Sequence, residues 1–332
     1  MSRRDSAINA FLSRHGWGEA QRGPLAGDAS FRRYERVVRN NESLVLMDAP
    51  LDKEEVGPFV AVSRLLRDCG LSAPEIRAQD SARGLLLLED FGDALYSRVL
   101  VDGGDEMELY SAAVDVLLAL HARVPDTVDL PPYDDARLHA EADLLVDWYL
   151  PEMLGKPTSD ADRRAYSEAW QNVFPLARAI PNSVVLRDYH ADNLIWLNSR
   201  DGVGRVGLLD FQDAVVGPIV YDLVSLLEDA RRDVAAPVVD AAIARYLDGR
   251  PEISRDAFAA AYAVMGAQRN CKIIGIFTRL WRRDGKPGYL DFLARVFRHL
   301  ENDLVHPALA PVNDWFDAVL PAEYRGRPRG GT

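Results

Sequence analysis

The segment 184–197, VVLRDYHADNLIWL, sets Arg187, Asp188, His190, Asp192 and Asn193 directly ahead of an apolar, strand-like run. Polar groups entering a core must be paired or they cost stability, so such a cluster marks either a dense hydrogen-bond network or a site. Asp188 stands five positions before Asn193, and Asp210 stands seventeen after it. Two carboxylates and an amide oxygen are hard ligands of the kind that suit magnesium, which takes few protein ligands and keeps water and phosphate for the rest. Taken singly, a loop Asp or Asn is usually a turn former. It is the joint spacing that points to a magnesium and phosphate site. A hydrolytic metal site on His190 and Asp192 is the competing chemistry, and it is weaker. The other histidines, His15, His121, His139, His299 and His306, are scattered without ligand spacing.

The elements around these residues must bring them together. Residues 194–197 read as a strand, 198–204 are rich in turn formers, and 205–209 read as the returning strand, followed by Asp210-Phe211-Gln212-Asp213. An antiparallel hairpin closes its open ends, so Asn193 and Asp210 are expected as neighbours, with Asp188 one loop away. Upstream, 30–38 and 43–48 read as strands around the turn 39–42, and 56–69 has helical apolar spacing. Residues 84–88 form a buried-strand run that breaks at Glu89-Asp90-Phe91-Gly92-Asp93. Helix patterns then cover 106–122, 135–150, 160–179, 238–248, 256–283 and 287–304. The expected class is α+β: a strand-rich N-terminal lobe over 1–90 with a hinge at about 87–92, and a larger, mainly helical lobe over 91–324. The hairpin is expected in the larger lobe, and 325–332 as a mobile tail.

Composition narrows the function classes. The chain has 332 residues, 48% hydrophobic and 27% charged, which is ordinary for a soluble globular protein and long for one core. No apolar run approaches the roughly 18–20 residues that span a bilayer. Met1-Ser2-Arg3-Arg4-Asp5 leads into a mixed helix, so no secretory signal is expected. Cys69 and Cys271 cannot build a disulfide framework, which fits a reducing cytoplasm. A net charge of −12 argues against nucleic acid or an anionic membrane as partner, and no obligate protein partner is evident. A phosphate ligand would therefore need a local basic pocket or a metal.

The run Asp188-Tyr189-His190-Ala191-Asp192-Asn193, then Asp210-Phe211, Gly217-Pro218 and Tyr221-Asp222-Leu223, resembles the catalytic and metal loops of the aminoglycoside/choline-type phosphotransferases. These are small-molecule relatives of the protein kinases. Their loop usually reads His-Gly-Asp-x-His-x-x-Asn, and here Leu186-Arg187 stand where His-Gly is common. A closer resemblance is to the bacterial anomeric N-acetylmuramate/N-acetylglucosamine kinases, which phosphorylate the sugar C1 hydroxyl in cell-wall recycling. It rests on five runs: Ala26-Gly27-Asp28-Ala29-Ser30-Phe31-Arg32-Arg33-Tyr34, Leu46-Met47-Asp48-Ala49-Pro50, Leu88-Glu89-Asp90-Phe91-Gly92-Asp93, Met265-Gly266-Ala267-Gln268-Arg269-Asn270 and Arg283-Asp284-Gly285-Lys286-Pro287. The resemblance covers most of the chain and is strongest in its C-terminal part. It implies a two-lobed protein-kinase-like fold, ATP as co-substrate, Mg2+ as cofactor and an amino sugar as acceptor.

Roles follow residue by residue. Asp188 would take the proton of the attacking hydroxyl, and Asn193 and Asp210 would hold magnesium. The resemblance implies that Asp222 supports the catalytic loop; His190 would brace it, and Arg187 would pair with Asp222 or another loop carboxylate. Ser30 and its neighbouring amides stand where the family covers phosphate. The strand lysine of this superfamily is missing from Val45-Leu46-Met47-Asp48, and Lys53 lies past the strand. Arg32, Arg33 or Arg36 would supply the cation, Arg32 and Arg36 sharing one strand face and Arg33 the other. Leu87, Leu88 and Glu89 would form the linker that offers backbone groups to adenine. For the sugar, the candidates are Asp213, Glu228, Arg231, Arg269 and Lys272, with mutual salt bridges as the plainer explanation of those charges. Two alternatives stay open: a kinase of an aminoglycoside, choline or another amine, and a non-catalytic nucleotide-binding regulator.

Overall fold

The computed structural model describes residues 3–25, 32–51, 54–125 and 127–328. By contacts the chain divides into a first unit, Met1–Asp105 with Asp192–Asp213, and a second, Glu106–Ala191 with Ala214–Thr332. The first run of the chain holds α1 (Arg3–Arg14), β1 (Gln21–Pro24), β2 (Arg33–Arg39), β3 (Glu42–Asp48), α2 (Gly57–Asp68), β4 (Ile76–Asp80), β5 (Leu85–Glu89) and α3 (Tyr96–Val101). The second holds α4 (Glu106–Arg123), α5 (Asp135–Ala142), a π-helical turn (Leu145–Tyr149), α6 (Leu150–Leu154), α7 (Asp160–Ala177) and β6 (Asn182–Val185). The hairpin β7 (Leu194–Trp196) and β8 (Val206–Leu208) returns to the first unit. β9 (Val215–Pro218), α8 (Tyr221–Leu227), α9 (Ala236–Asp248), α10 (Arg255–Asp284), α11 (Leu293–Leu304) and α12 (Ala310–Val319) complete the second. Among the described residues, no helix is long and apolar enough to cross a membrane.

In the first unit, five strands form a sheet in the order β1-β2-β3-β5-β4, every neighbouring pair antiparallel. Asn40 and Asn41, at φ 48° and 65°, make the two-residue turn between β2 and β3. Left-handed turns of this kind match the twist of the flanking strands, and Asn tolerates them better than most residues. Helix α1 lays Ile8, Phe11 and Leu12 over Val37, Leu46, Leu85 and Leu87, and Trp17 closes that core. Each such side chain contributes about 1.5–3 kcal/mol on burial.

The β7/β8 hairpin belongs to this unit, not to the larger one as its position in the chain suggested. Strands of three residues make too few ladder bonds to stand alone. Their spare backbone groups are satisfied elsewhere in the unit. Leu208 N–H donates to the Ser72 carbonyl, and Trp196 N–H to that of Ala94, each at 2.8 Å. A Cβ at Gly207 would lie 2.8 Å from the Phe91 ring, so only glycine lets that ring sit on the hairpin. The division therefore runs differently from a single boundary near residue 90.

In the second unit α10 is the spine. Its 30 residues span about 45 Å. Ser254 caps its start by accepting Ala257 N–H at 3.2 Å. It packs against α5, the π turn, α7, α8 and α11. A Cβ at Gly275 would stand 2.3 Å from the Leu144 carbonyl carbon, so glycine sets how closely the chain entering the π turn approaches α10. Helix α11 buries Leu293, Val296, Phe297, Leu300 and Leu304, the stripe that a helix of 3.6 residues per turn turns to one side. The expected helix over 135–150 is broken by the π turn, and that over 287–304 begins as a 3-10 turn at Pro287–Phe292. Residues 325–328 are tied down rather than loose. Tyr149 OH accepts Gly326 N–H at 2.8 Å, and Arg325 and Arg327 pair with Asp317 and Asp291. The last residues of the expected tail, 329–332, lie outside the described residues.

Candidate active site

Strand β6, paired antiparallel with β9 through Val184↔Val216, delivers the chain to Leu186. Asp222, in the first turn of α8, is fully buried and accepts the N–H groups of Leu186 at 2.6 Å and Arg187 at 2.8 Å. Ser225 Oγ donates to the Arg187 carbonyl at 3.2 Å. Arg187 sits at φ 73°, in the left-handed region that side-chain-bearing residues avoid. Asp188 N–H then turns back to the Leu186 carbonyl at 3.0 Å. These bonds fix the backbone on both sides of the residue preceding Asp188.

The carboxylate that takes the Arg187 side chain is Glu141, on α5. Asp222 meets Arg187 only through its backbone N–H. Glu141 also accepts from Tyr133 OH, and Lys272 Nζ lies 3.4 Å from its Oε2. Burial pushes the Glu141 carboxyl up, but Lys272 and Arg187 more than offset this and hold it below the ordinary range. At Asp222 the balance falls the other way, with burial outweighing the field of Arg269. Burial raises it to about 7, opposed by the two backbone N–H groups it binds. His190 is buried, which lowers its pKa, and the charges that act on it are Asp229, Arg231, Asp188 and Arg269.

The first unit holds Asn193 and Asp210. Leu209 N–H donates to the Asn193 carbonyl at 3.0 Å, closing the hairpin immediately before Asp210. Asp210 is itself left-handed, at φ 56°, and its Oδ1 accepts from Gln212 Nε2 at 2.8 Å. Phe211 stacks on Phe59 of α2 with ring centroids 4.9 Å apart. Asp213 is exposed and receives Gln212 Nε2 at 3.4 Å.

The arginines of the first unit separate by their partners. Arg36 gives its guanidinium to Asp90 and Asp93, and Arg33 is exposed. Arg32 is buried, with Nη2 2.9 Å from Glu54 Oε2. Tyr34 beside it is pushed up to about 12 by burial, in the field of Arg32, Asp210 and Glu54. Leu87 and Leu88 lie inside β5, with β3 on one edge and β4 on the other. Their ladder positions make them sheet rather than linker, and the strand ends at Glu89. Glu89 is held by Arg200 from the hairpin loop and accepts Glu75 N–H at 3.3 Å. Ser30 and Lys53 lie outside the described residues.

The sugar candidates in the second unit fall into separate clusters. Arg269 Nη1 donates to the Glu228 carbonyl at 3.1 Å, whereas Lys272 turns to Glu141 and to Tyr221 OH, 3.3 Å away. Asn270 Nδ2 bridges Glu228 at 2.8 Å and Asp303 at 3.0 Å. Burial raises Glu228 to about 7 and Asp303 well above an ordinary carboxyl. Both border a cavity of about 620 Å³. Arg231 N–H donates to Asp229 Oδ1 at 2.8 Å. Glu141, Glu54 and Asp303 escaped the sequence reading because each sits in an ordinary amphipathic or loop context without a motif.

The model of the phosphotransferase enzyme family matches residues 22–258. An N-acetylmuramate/N-acetylglucosamine kinase of Caulobacter vibrioides is 41% identical over 98% of this chain and 99% of its own. One of Pseudomonas aeruginosa is 39% identical, covering 93% of each. Among solved structures, a choline/ethanolamine kinase family protein of Mesorhizobium loti superposes with a TM-score of 0.65 at 14% identity, over 94% of this chain and 99% of that one. At that identity the likeness shows the fold, which is the protein-kinase-like α+β arrangement. With a family model spanning most of the chain and full-length relatives well above 30% identity, the chain belongs to the phosphotransferase enzyme family.

Proposed function

We propose that the chain is an ATP-dependent kinase of N-acetylmuramic acid or N-acetylglucosamine that phosphorylates the anomeric C1 hydroxyl. The observation that carries this reading is the end-to-end similarity to relatives bearing that name. Asp188 accepts the C1 hydroxyl proton as the oxygen attacks the γ-phosphorus. The bond to the β–γ bridging oxygen breaks, and ADP leaves with the electron pair. Asn193 and Asp210 offer an amide and a carboxylate oxygen, a donor set suited to Mg2+, and when bound the ion would neutralise phosphate charge. Arg32 stands in for the missing strand lysine. Its support is a buried guanidinium already paired with a carboxylate, Glu54, whereas Arg36 is committed to two aspartates. On the acceptor side the reading uses Glu228, Arg231 and Arg269.

The test is incubation of each sugar with magnesium-ATP, followed by proton-coupled phosphorus NMR. A C1 phosphate is lost in mild acid and removes the reducing end. A product that still reduces copper and resists acid would overturn the anomeric assignment, and no ATP consumption with either sugar would overturn the acceptor.

A further inference from the structure

The relevant geometry is at the residue before Asp188. Arg187 occupies a left-handed position, φ 73°, where an L side chain is strained and glycine is not. Such a conformation persists only when its surroundings over-determine it. Here they engage its backbone N–H, its carbonyl and the Nη2 end of its guanidinium. Its N–H goes to Asp222 and its carbonyl receives Ser225 Oγ. Its guanidinium goes to Glu141 and lies over the Tyr133 ring, 5.8 Å from the centroid. Glu141 in turn is anchored on α5, and Tyr133, Lys272 and Gln268 direct donors at its Oε2. The Arg187 and Glu141 side chains are only 16% and 12% exposed, so the pair is screened little by solvent.

We infer that Glu141 is a positioning residue for the phosphoryl-transfer step: through Arg187 it holds the left-handed turn that aims Asp188, doing by a side-chain tie what glycine would do by having no side chain. This rests on the reading of Asp188 as the base. The contribution of Glu141 is to turnover, and ATP affinity should not depend on it.

The experiment compares Arg187→Ala, Arg187→Gly and Arg187→Lys with Glu141→Gln, measuring kcat and the KM for ATP on the folded fraction of each full-length variant. Arg187→Ala keeps the strain and loses the tie, so kcat should fall, with KM for ATP within about twofold. Arg187→Gly loses the tie but needs none, and should recover roughly fivefold to thirtyfold in kcat over Ala, the worth of a left-handed glycine at about 1–2 kcal/mol. Arg187→Lys, which keeps a cation beside Glu141, should fall between wild type and Ala, and it stands in should Ala not fold. Glu141→Gln should lower kcat in the wild-type background and have little further effect beside Arg187→Gly. Equal kcat for Ala and Gly, or an undiminished kcat in Glu141→Gln, would overturn the inference. Asp188→Asn is the control. If it keeps turnover, the base assignment itself fails, and if it is dead while the tie variants are normal, only the role of Glu141 fails.

Discussion

Asp222 offers a perturbation whose sign should depend on pH. Asp222→Asn keeps the shape of the side chain but turns an NH2 toward one of two backbone N–H donors that now find oxygen at 2.6 and 2.8 Å. Leaving one buried donor unmet costs about 1–3 kcal/mol. Against this, burial raises the Asp222 pKa from 3.8 to about 7, so the native state resists its ionisation. A group whose folded pKa lies above its unfolded one gives stability that is present at low pH and lost as pH rises through the folded value. Between pH 5 and the folded value lie about two units, worth roughly 3 kcal/mol at about 1.4 kcal/mol per unit. Asn does not titrate and escapes that loss. The Asn variant should therefore be less stable than wild type at pH 5 and should gain on it by roughly 3 kcal/mol by pH 8. Urea unfolding followed by circular dichroism at several pH values across this range reads the difference directly. Asp222→Ala, which strands both donors, should lose about 2–6 kcal/mol at pH 5. A stability difference between Asn and wild type that stays constant from pH 5 to 8 would refute the burial argument. An Ala variant as stable as wild type would refute the hydrogen-bonding one.

Other outcomes are expected. Asp210→Ala should abolish turnover and weaken magnesium-dependent nucleotide binding, measured by calorimetry with and without the ion, and Asn193→Ala should be milder because water can replace a neutral ligand. Unchanged magnesium dependence in Asp210→Ala would move the metal elsewhere. Arg32→Ala should chiefly raise the KM for ATP, whereas Arg33→Ala, at an exposed position, should leave it within about twofold, in line with the small effects of most surface changes. Gly275→Ala should cost about 1–3 kcal/mol of stability in thermal unfolding, since the added carbon meets the Leu144 backbone at 2.3 Å and must push apart two packed segments.

Much of the candidate site's placement was legible because it is local. Asp188, Asn193 and Asp210 are set by a loop and a hairpin whose turn formers and strand period can be read directly from neighbouring residues. The strand carrying Arg33 and Arg36 was also legible, although it begins at Arg33 and leaves Arg32 just ahead of it. What could not be read is partnership over distance. Three arginines within five positions look alike until Arg36 meets Asp90 and Asp93 and Arg32 meets Glu54. Leu87 and Leu88 look like a linker until β4 and β3 flank them. The hairpin's place in the first unit depends on Ser72 and Ala94, more than a hundred residues upstream. Arg269 and Lys272, three apart on one helix, part company because one faces Glu228 and the other Glu141. Short-range periodicity records which way a side chain points; only packing decides what it meets, and at Arg187 that meeting is what allows a side chain to stand where the backbone alone would call for glycine.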